Sequence, residues 1–281
     1  MFEKRDGGII NSILNENGEI TTDHKQIEEL LLKTMSEMQV DTKYGWIKET
    51  RFPKLKKISQ LEVEFLLQNL STNKAIAWDG ISDLLFDRKK ASEKKPSKLE
   101  ITARKIKDIW RTDLDKVTGI EDTWATRLVP LNKVFPEHPT RTQLRPIMVQ
   151  SAIVKAMESR FLPKLQNYLT FGLDRSQTGF VRNMGTQVNL TRALERITMR
   201  TKQGKTVYGL FIDFSNAYNS VPHIKLFQKL RNKKILLEEE VRFIEQLYAR
   251  YSIKLGSTRL KTNKGVAQGS IISPALFNIY I

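Results

Sequence analysis

One carboxylate, Asp213, is placed where it could bind a metal ion. Residues 207–212, which precede it, are mostly β-branched, aromatic or apolar, and this composition predicts a short buried strand. The carboxylate then stands at the tip of that strand, where its oxygens suit a hard cation such as Mg²⁺. A lone Asp that only ends a strand is the common alternative, and Asp213 alone does not decide between the two.

Two cations form a second candidate site. Segments 128–134 and 144–149 predict two strands joined by a polar, Pro-containing turn, and they carry Lys133 and Arg145. A hairpin can present both side chains on one side, where they suit a triphosphate or a phosphate backbone. Two ordinary exposed basic residues are the alternative, which these segments by themselves leave open.

The elements that must position these residues are mainly helices. Periodic apolar residues, with a capping box at Ser59-Gln-Leu-Glu62, predict helices that begin near residues 23, 59, 99, 153, 186, 224, 238 and 274. A further hairpin is predicted over 251–262, with its turn at Gly256-Ser257. Because the short strands do not alternate regularly with the helices, the predicted fold class is α+β.

The charge of the chain favours a polyanionic partner. Its 281 residues carry a net charge of +16, which makes nucleic acid the first candidate and an acidic membrane surface the second. The membrane is disfavoured because no apolar run approaches the ~20 residues of a spanning helix. The N-terminus lacks the apolar core of a signal peptide, and there is no cysteine for disulfides or Cys-based metal sites. These features fit a reducing intracellular compartment.

Five separated motifs occur in an order that resembles reverse transcriptases. The resemblance is strongest to those of non-LTR (LINE-type) retrotransposons, with group II intron reverse transcriptases nearer than retroviral ones. The motifs are Asn73-Lys-Ala75 with Trp78-Asp-Gly-Ile81; Leu131-Asn-Lys133 with Arg145-Pro-Ile147; Gln177-Thr-Gly-Phe180 with Gly185-Thr186; Phe211-Ile-Asp213 with Ala217-Tyr218 and Val221-Pro222; and Gln268-Gly-Ser270 with Ser273-Pro274 and Leu276-Phe-Asn278. One such motif is weak evidence, but five in register are specific.

The resemblance implies the fingers and palm of a right-hand polymerase, within the α+β class. It runs from about Ile58 to the last residue and is weaker towards the N-terminus. By this resemblance residues 1–57 form an extension leading into the polymerase, 58–205 the fingers, and 206–281 a partial palm with its connecting helices. The thumb would be absent.

Roles for individual residues also follow from the resemblance. Asp213, helped by the backbone carbonyl of Phe214, would bind the Mg²⁺ ions of a two-metal site that bridge the incoming triphosphate and the attacking 3′ hydroxyl. Tyr218 would lie under the sugar and exclude a 2′ hydroxyl. Lys133 and Arg145 would hold the triphosphate.

Two further groups of residues are expected to line the substrates. Gln268 and Gly269 would line the nucleotide and template pocket, where Gly269 allows close approach of the backbone because it has no Cβ. Contacts to nucleic acid are assigned to Lys155, Gln177, Gly179 and Arg182. The expected partners are an RNA template, a DNA primer or target, and dNTPs, without a membrane; the oligomeric state is left open.

The chain departs from the family pattern in two ways. Asn219 stands where LINE-type enzymes usually have Asp after the aromatic residue, although this position is not expected to bind metal. More seriously, the next catalytic motif of the family is aromatic-x-Asp-Asp, and these 281 residues contain no Asp-Asp pair. We therefore expect an N-terminal fragment that ends before this motif, has an incomplete two-metal site and cannot polymerise by itself.

Two alternatives remain beside a reverse transcriptase. A non-catalytic, polymerase-like protein that binds RNA with its basic surface needs no Asp-Asp pair, but it has no need for Asp213, Tyr218 and Gln268 together. An RNA-dependent RNA polymerase shares the motif around Asp213 but is disfavoured by Tyr218 and Arg145-Pro-Ile147. A LINE-type element would work in the nucleus, whereas an intron enzyme would work in an organelle or a bacterium.

Overall fold

A computed structural model describes residues 10–53, 58–70, 75–86, 95–111 and 114–281. Within them lie nine α-helices and six strands, together with short 3₁₀ turns. The helices are α1 His24–Gln39, α2 Gln60–Gln68, α3 Lys98–Arg111, α4 Ala152–Ser159, α5 Leu162–Phe171, α6 Thr186–Lys202, α7 His223–Lys233, α8 Glu238–Arg250 and α9 Ser273–Tyr280. The strands are β1 Ile13–Leu14, β2 Ile20–Thr21, β3 Ala125–Asn132, β4 Leu144–Val149, β5 Ser252–Leu255 and β6 Thr258–Lys261. The expected α+β class is confirmed.

The starts of the first two helices follow from capping residues in the sequence. The Asp23 side chain accepts a hydrogen bond from the backbone N–H of Lys25 at the start of α1. The Ser59 side chain accepts one from the N–H of Glu62 at the start of α2. Each bond satisfies a backbone donor that has no partner within its helix, which fixes where the helix begins.

The four-stranded sheet places the predicted hairpin of β3 and β4 beside a strand from a later part of the chain. Its strand order is β4-β3-β5-β6, with β3 and β4 antiparallel and Leu131 opposite Arg145. Strand β5 pairs with β3 in parallel, with Ile253 opposite Thr126, and with β6 in an antiparallel hairpin. The two hairpins that the sequence predicts are therefore both present, and they form one sheet.

Three apolar clusters hold these elements together. The largest joins α5, α7, α8 and α9, and its fully buried members include Leu165, Phe227, Ile244 and Leu276. A second packs α1 on the sheet, and a third joins α2, α3 and α4. The second cluster includes Met148 of β4 and Ala267, so it reaches the loop that carries Gln268 and Gly269.

One helix prediction needs correction, and a second helix forms as predicted but is not covered by a described element. The predicted helix over 153–169 is divided into α4 and α5, because Pro163 opens a new helix in its first turn, where its missing N–H costs nothing. Helix α6 forms where predicted, but none of its residues is buried, and Leu190, Leu194 and Ile197 are exposed. The apolar periodicity of α6 predicted the helix correctly, yet no described element covers its apolar side.

The buried strand predicted over 207–212 is wrong. This segment is irregular, and its side chains are exposed: Leu210 at 86%, Phe211 at 97% and Ile212 at 71%. A strand needs a partner for its backbone hydrogen bonds, and none of the described strands lies beside these residues. The local composition of the segment could not reveal that.

Two predicted features lie partly outside the described residues: Asn73-Lys74 of the first motif, and residues 88–94 of the Lys-rich segment 88–98, whose composition predicts a solvated surface loop. The described part of that motif packs on β5, where the Trp78 indole N–H donates to the Lys254 carbonyl oxygen at 3.1 Å. The Lys254 ammonium lies 4.6 Å from the centre of the Trp78 ring. Across the described helices, none is both long and apolar enough to span a membrane.

Candidate active site

Backbone hydrogen bonds join the segment after Asp213 to the loop before α9. The N–H of Gly265 donates to the Val221 carbonyl at 2.7 Å, and the N–H of Val266 donates to the Tyr218 carbonyl at 2.8 Å. Two motifs that lie almost fifty residues apart in sequence thus meet at 218–222 and 264–266. Tyr218 and Gln268 are therefore brought into one region of the molecule.

The loop is also fixed against β4. The N–H of Met148 donates to the Gln268 carbonyl at 2.9 Å. Gly269 has a φ of +137°, and a Cβ at this position would overlap the carbonyl oxygen of Met148. Both observations require glycine here. They support the expectation that Gly269 allows a close backbone approach, although the neighbour is β4 rather than a ligand.

A groove of about 740 Å³ runs beside this contact. Gly269 and Ile271 line it from the loop, Ile147 and Met148 from β4, and Lys155 from α4. The structure therefore brings together Gly269 and Lys155, which the sequence assigned separately to nucleotide and nucleic-acid binding. The groove is concave and mostly apolar with a cation at its wall, which is the usual character of a ligand site.

Lys133 and Arg145 lie near the same end of the β3–β4 hairpin. Arg145 is on β4 opposite Leu131, whereas Lys133 lies one residue past the end of β3, where its N–H donates to the Gln143 carbonyl at 3.0 Å. Both side chains are exposed, and neither forms an ion pair with any other described residue. The two predicted strands are present, but Lys133 falls just outside its strand; that the hairpin presents both cations on one side, and that they bind a triphosphate, stay predictions.

Tyr218 belongs to a group of three aromatic rings. Its ring centre lies 4.9 Å from that of Phe277 and 6.2 Å from that of Phe180. Burial raises the pKa of Tyr218 to about 12, so its hydroxyl stays protonated at physiological pH. Phe180 has a φ of +60° and is 55% exposed, which is an unusual backbone conformation for a bulky residue. Sequence reasoning did not select Phe180 as a site residue.

Gln177 and Gly179 are held by a buried amide on α9. The Gln177 side chain donates to Asn278 Oδ1 at 3.0 Å, and Asn278 Nδ2 donates to the Gly179 carbonyl at 2.6 Å. These contacts connect the loop at 177–180 to α9. Arg182 is exposed and makes no ion pair with a described residue. Nucleic-acid contacts by these residues stay predictions.

We expect Asn278→Ala to lower the free energy of unfolding by about 2 kcal/mol, because it removes both bonds and leaves the Gly179 carbonyl without a partner. Urea denaturation measures the loss. Asn189→Ala, at an exposed position of α6, is the matched control and should change stability by less than about 0.5 kcal/mol. Equal effects of the two substitutions would show that the Asn278 bonds do not hold the loop.

His223 connects the start of α7 to Gly265. Its Nε2 lies 2.8 Å from the Gly265 carbonyl oxygen, and its ring meets that of Tyr248 edge-on at 4.9 Å. Burial lowers the pKa of His223 to about 4, against an opposing effect of the Gly265 hydrogen bond. The imidazole is therefore neutral at physiological pH and donates through Nε2–H.

This pKa predicts a loss of stability in acid. The unfolded chain binds a proton at His223 below its ordinary pKa of 6.5, whereas the folded protein does not until about 4. Neutral His223 therefore contributes fully to the free energy of unfolding above pH 6.5. This contribution, about 3 kcal/mol in total, is lost as the pH falls towards 4. Urea denaturation between pH 7.5 and 4 should show a flatter pH dependence for His223→Gln than for the unmodified chain. The control His24→Gln, at an exposed position, should leave the slope unchanged.

Asp213 stands apart from the other candidates. It is exposed and makes no hydrogen bond or ion pair with a described residue, and the neighbouring Phe214 is 69% exposed. Across the described part of the chain, no group of three or more His, Asp or Glu side chains could hold a metal ion. Proteins usually hold Mg²⁺ through one or two carboxylates together with waters and substrate phosphates, and Asp213 offers one such carboxylate.

Asn219 is buried and accepts a hydrogen bond from Gln39 Nε2 at 3.1 Å. This hydrogen bond connects α1 to the segment after Asp213. The sequence did not reveal that the side chains of Asn219, His223 and Asn278 are buried and connect separate segments, because Asn219 and His223 look like ordinary polar residues beside a motif and Asn278 like an ordinary motif residue.

The family model described as "Reverse transcriptase (RNA-dependent DNA polymerase)" matches residues 135–281, which is more than half of the 281 residues. The matched range contains Arg145, Asp213, Tyr218, Gln268 and Gly269, and it begins just after Lys133.

Proposed function

The chain belongs to the reverse transcriptase family, and from this premise we propose that it is the polymerase part of a non-LTR (LINE-type) retrotransposon protein. It would copy an RNA template by adding dNTPs to the 3′ hydroxyl of a DNA primer. The observation that carries this proposal is the joining of three motifs around one loop: Met148 of β4 and Tyr218 both bond to the segment 266–268. The LINE-type assignment rests on the five sequence motifs.

Lys133 and Arg145 are proposed to hold the triphosphate of the incoming nucleotide. Both are exposed near one end of a hairpin, and neither forms an ion pair with a described residue, so their charge is available to a ligand. Two cations would also offset the charge that develops on the leaving pyrophosphate.

Tyr218 is proposed to lie against the sugar and exclude a 2′ hydroxyl. Packing against Phe277 and Phe180 gives the ring a fixed position, which exclusion by steric conflict requires. Gln268 and Gly269 would line the nucleotide, while Lys155, Gln177, Gly179 and Arg182 would contact nucleic acid. In the proposed division, residues 58–205 are the fingers, 206–281 a partial palm, and 1–57 an extension.

Asp213, with the carbonyl of Phe214, is proposed as one ligand of Mg²⁺, the ion that reverse transcriptases generally use. When bound, the metal would stabilise the oxygens of an in-line displacement. The remaining carboxylates have to come from an Asp-Asp motif, which these 281 residues lack. We therefore propose that the 281-residue chain alone does not polymerise.

The first measurement is the nucleotide sequence downstream of codon 281. An open frame that encodes an aromatic-x-Asp-Asp motif within a few dozen residues would identify the front part of a working reverse transcriptase. A stop codon or a frameshift there would identify a decayed copy with at most residual RNA binding. A LINE-type protein would act in the nucleus.

Primer extension then tests the activity itself. With an RNA template, a DNA primer, dNTPs and Mg²⁺, we expect no extension by residues 1–281 and Mg²⁺-dependent extension once the downstream segment is present. Extension by the 281-residue chain would refute its proposed inactivity. Failure of the longer protein to extend any primer would refute the polymerase.

A non-catalytic RNA-binding protein is the second candidate, favoured by the net charge of +16 and the missing Asp-Asp pair. Tyr218→Ala, made in the longer protein that includes the downstream segment, separates the two. A pure RNA-binding protein should keep its RNA affinity and incorporate no nucleotide, whereas a reverse transcriptase should extend the primer but lose its preference for dNTPs over rNTPs.

A further inference from the structure

Glu158 is a carboxylate buried where charge is costly. It lies on α4, and only 2% of its surface is exposed. Burial raises the pKa of Glu158, while hydrogen bonds from Gln150, Ser270 and Ile271 and the charge of Lys155 oppose this rise. No ion pair with a described residue compensates for the burial. A residue of this kind does not contribute to packing as an apolar side chain would, so its polar contacts require an explanation.

The hydrogen bonds that this carboxylate accepts all come from two segments beside the groove. Oε1 accepts from Gln150 Nε2 at 3.0 Å, just after β4. Oε2 accepts from Ser270 Oγ at 2.9 Å and from the N–H of Ile271 at 3.1 Å. One carboxyl group therefore joins α4, the end of β4 and the loop that contains Gln268 and Gly269.

The bond to Ser270 extends its effect to the start of α9. Ser270 Oγ, which donates to Glu158, also lies 3.3 Å from the N–H of Ile272 and 3.2 Å from that of Ser273, and it accepts from both. These N–H groups belong to the first turn, which has no partners within the helix. Glu158 thereby fixes the orientation of the hydroxyl that caps α9.

We propose that Glu158 is a positioning residue, which holds Gln268 and Gly269 at the groove by binding Ser270 and Ile271. Gly269 lies between the Met148 carbonyl on one side and the Ser270 anchor on the other, so the loop is fixed at both ends. The consequence for catalysis rests on the proposed role of Gln268 and Gly269 in the nucleotide pocket. Whether Glu158 holds the loop through its hydrogen bonds to Ser270 and Ile271 can be tested independently of that role.

Two substitutions at Glu158 separate its hydrogen bonds from its charge. Glu158→Gln keeps one oxygen for Ser270 and Ile271, and its new amide can face Gln150. Among the described residues Gln150 Oε1 has no hydrogen-bond partner, so a rotation of the Gln150 amide would let it accept from that new amide. Glu158→Leu keeps a similar volume but removes all three bonds. We expect the first variant to preserve the loop and the second to release it.

Hydrogen exchange in the 281-residue chain measures the release. In Glu158→Leu, the amides of residues 271–273 should exchange about tenfold faster or more, while the amides of α2 and α3 keep their protection. Glu158→Gln should match the unmodified chain. Unchanged exchange at 271–273 in Glu158→Leu, or equal acceleration throughout the molecule, would overturn the proposal.

A second variant covers the case in which Glu158→Leu does not fold. Ser270→Ala removes the hydroxyl bridge and leaves α4 intact, and it should raise exchange at residues 272 and 273 in the same way. Its failure to do so would equally overturn the proposal. In a longer, active protein, Glu158→Leu should raise the KM for dNTP more than it lowers kcat. Faster exchange at residues 271–273 with an unchanged KM would refute the nucleotide-pocket role of Gln268 and Gly269. It would not contradict the proposal that Glu158 holds this loop through Ser270 and Ile271.

Discussion

Gly269→Ala is expected to lower the free energy of unfolding by about 3 kcal/mol, the combined cost of a strained backbone and of overpacking. The φ of +137° is a conformation that residues with a Cβ rarely adopt, and the new methyl group would overlap the Met148 carbonyl oxygen. Relief of this overlap requires the loop to move away from β4, which breaks the bond from Met148 N–H to the Gln268 carbonyl. Urea denaturation measures the loss of stability.

Gly119→Ala is the matched control for this substitution. Gly119 also has a positive φ, +75°, but a Cβ there would meet no atom within 4 Å. Its replacement should therefore cost only the backbone strain, about 1 kcal/mol. If both substitutions cost the same, the contact between Gly269 and Met148 contributes nothing to the fold.

The local structure of this protein could largely be predicted from its sequence. Helices α1, α2, α7 and α8 have an apolar side and begin at predictable positions, and α2 uses the Ser59 cap that the sequence predicts. The hairpin of β5 and β6 forms around Gly256, which has a positive φ of +55°. These features depend on residues that are close in sequence, so a single chain contains the information for them.

The failures concern structure that depends on distant partners. Residues 207–212 have the composition of a strand, but strand formation also needs a neighbouring strand, and the described sheet does not provide one. In α6 the apolar side is evident from the sequence, whereas the lack of a described covering element is not. A pattern within one segment predicts the local conformation and says nothing about what packs on it.

The sequence predicted individual residues of the candidate site, but it did not predict the hydrogen bonds that connect their segments. Motif resemblance identified Tyr218, Gln268 and Gly269, and the structure joins their segments through the backbone at 265–268. It did not reveal the buried contacts of Glu158 with the loop at 270–271, of His223 with Gly265, or of Asn278 with the loop at 177–179. Their partners lie roughly 40 to 110 residues away along the chain, and polar residues on helices are usually solvated. These contacts are therefore evident only from the three-dimensional structure.

Asp213→Asn is expected to reduce primer extension by roughly 1,000-fold or more in a form of this protein that contains an Asp-Asp motif. A metal ion supplies several kcal/mol of transition-state stabilisation, and about 4 kcal/mol corresponds to a thousandfold in rate. Asn retains the shape of the side chain but lacks the negative charge that Mg²⁺ requires. The measurement is the rate of addition of a single dNTP in Mg²⁺.

Stability provides the second half of this test. Asp213 is exposed and contacts no described residue through a hydrogen bond or an ion pair, so Asp213→Asn should change the free energy of unfolding by less than about 0.5 kcal/mol. Glu29→Gln, at an exposed position of α1, removes the same charge elsewhere and should affect neither rate nor stability. A large loss of activity without a loss of stability is the signature of a ligand rather than of a structural residue. Full activity of Asp213→Asn would show that the metal is held by other carboxylates.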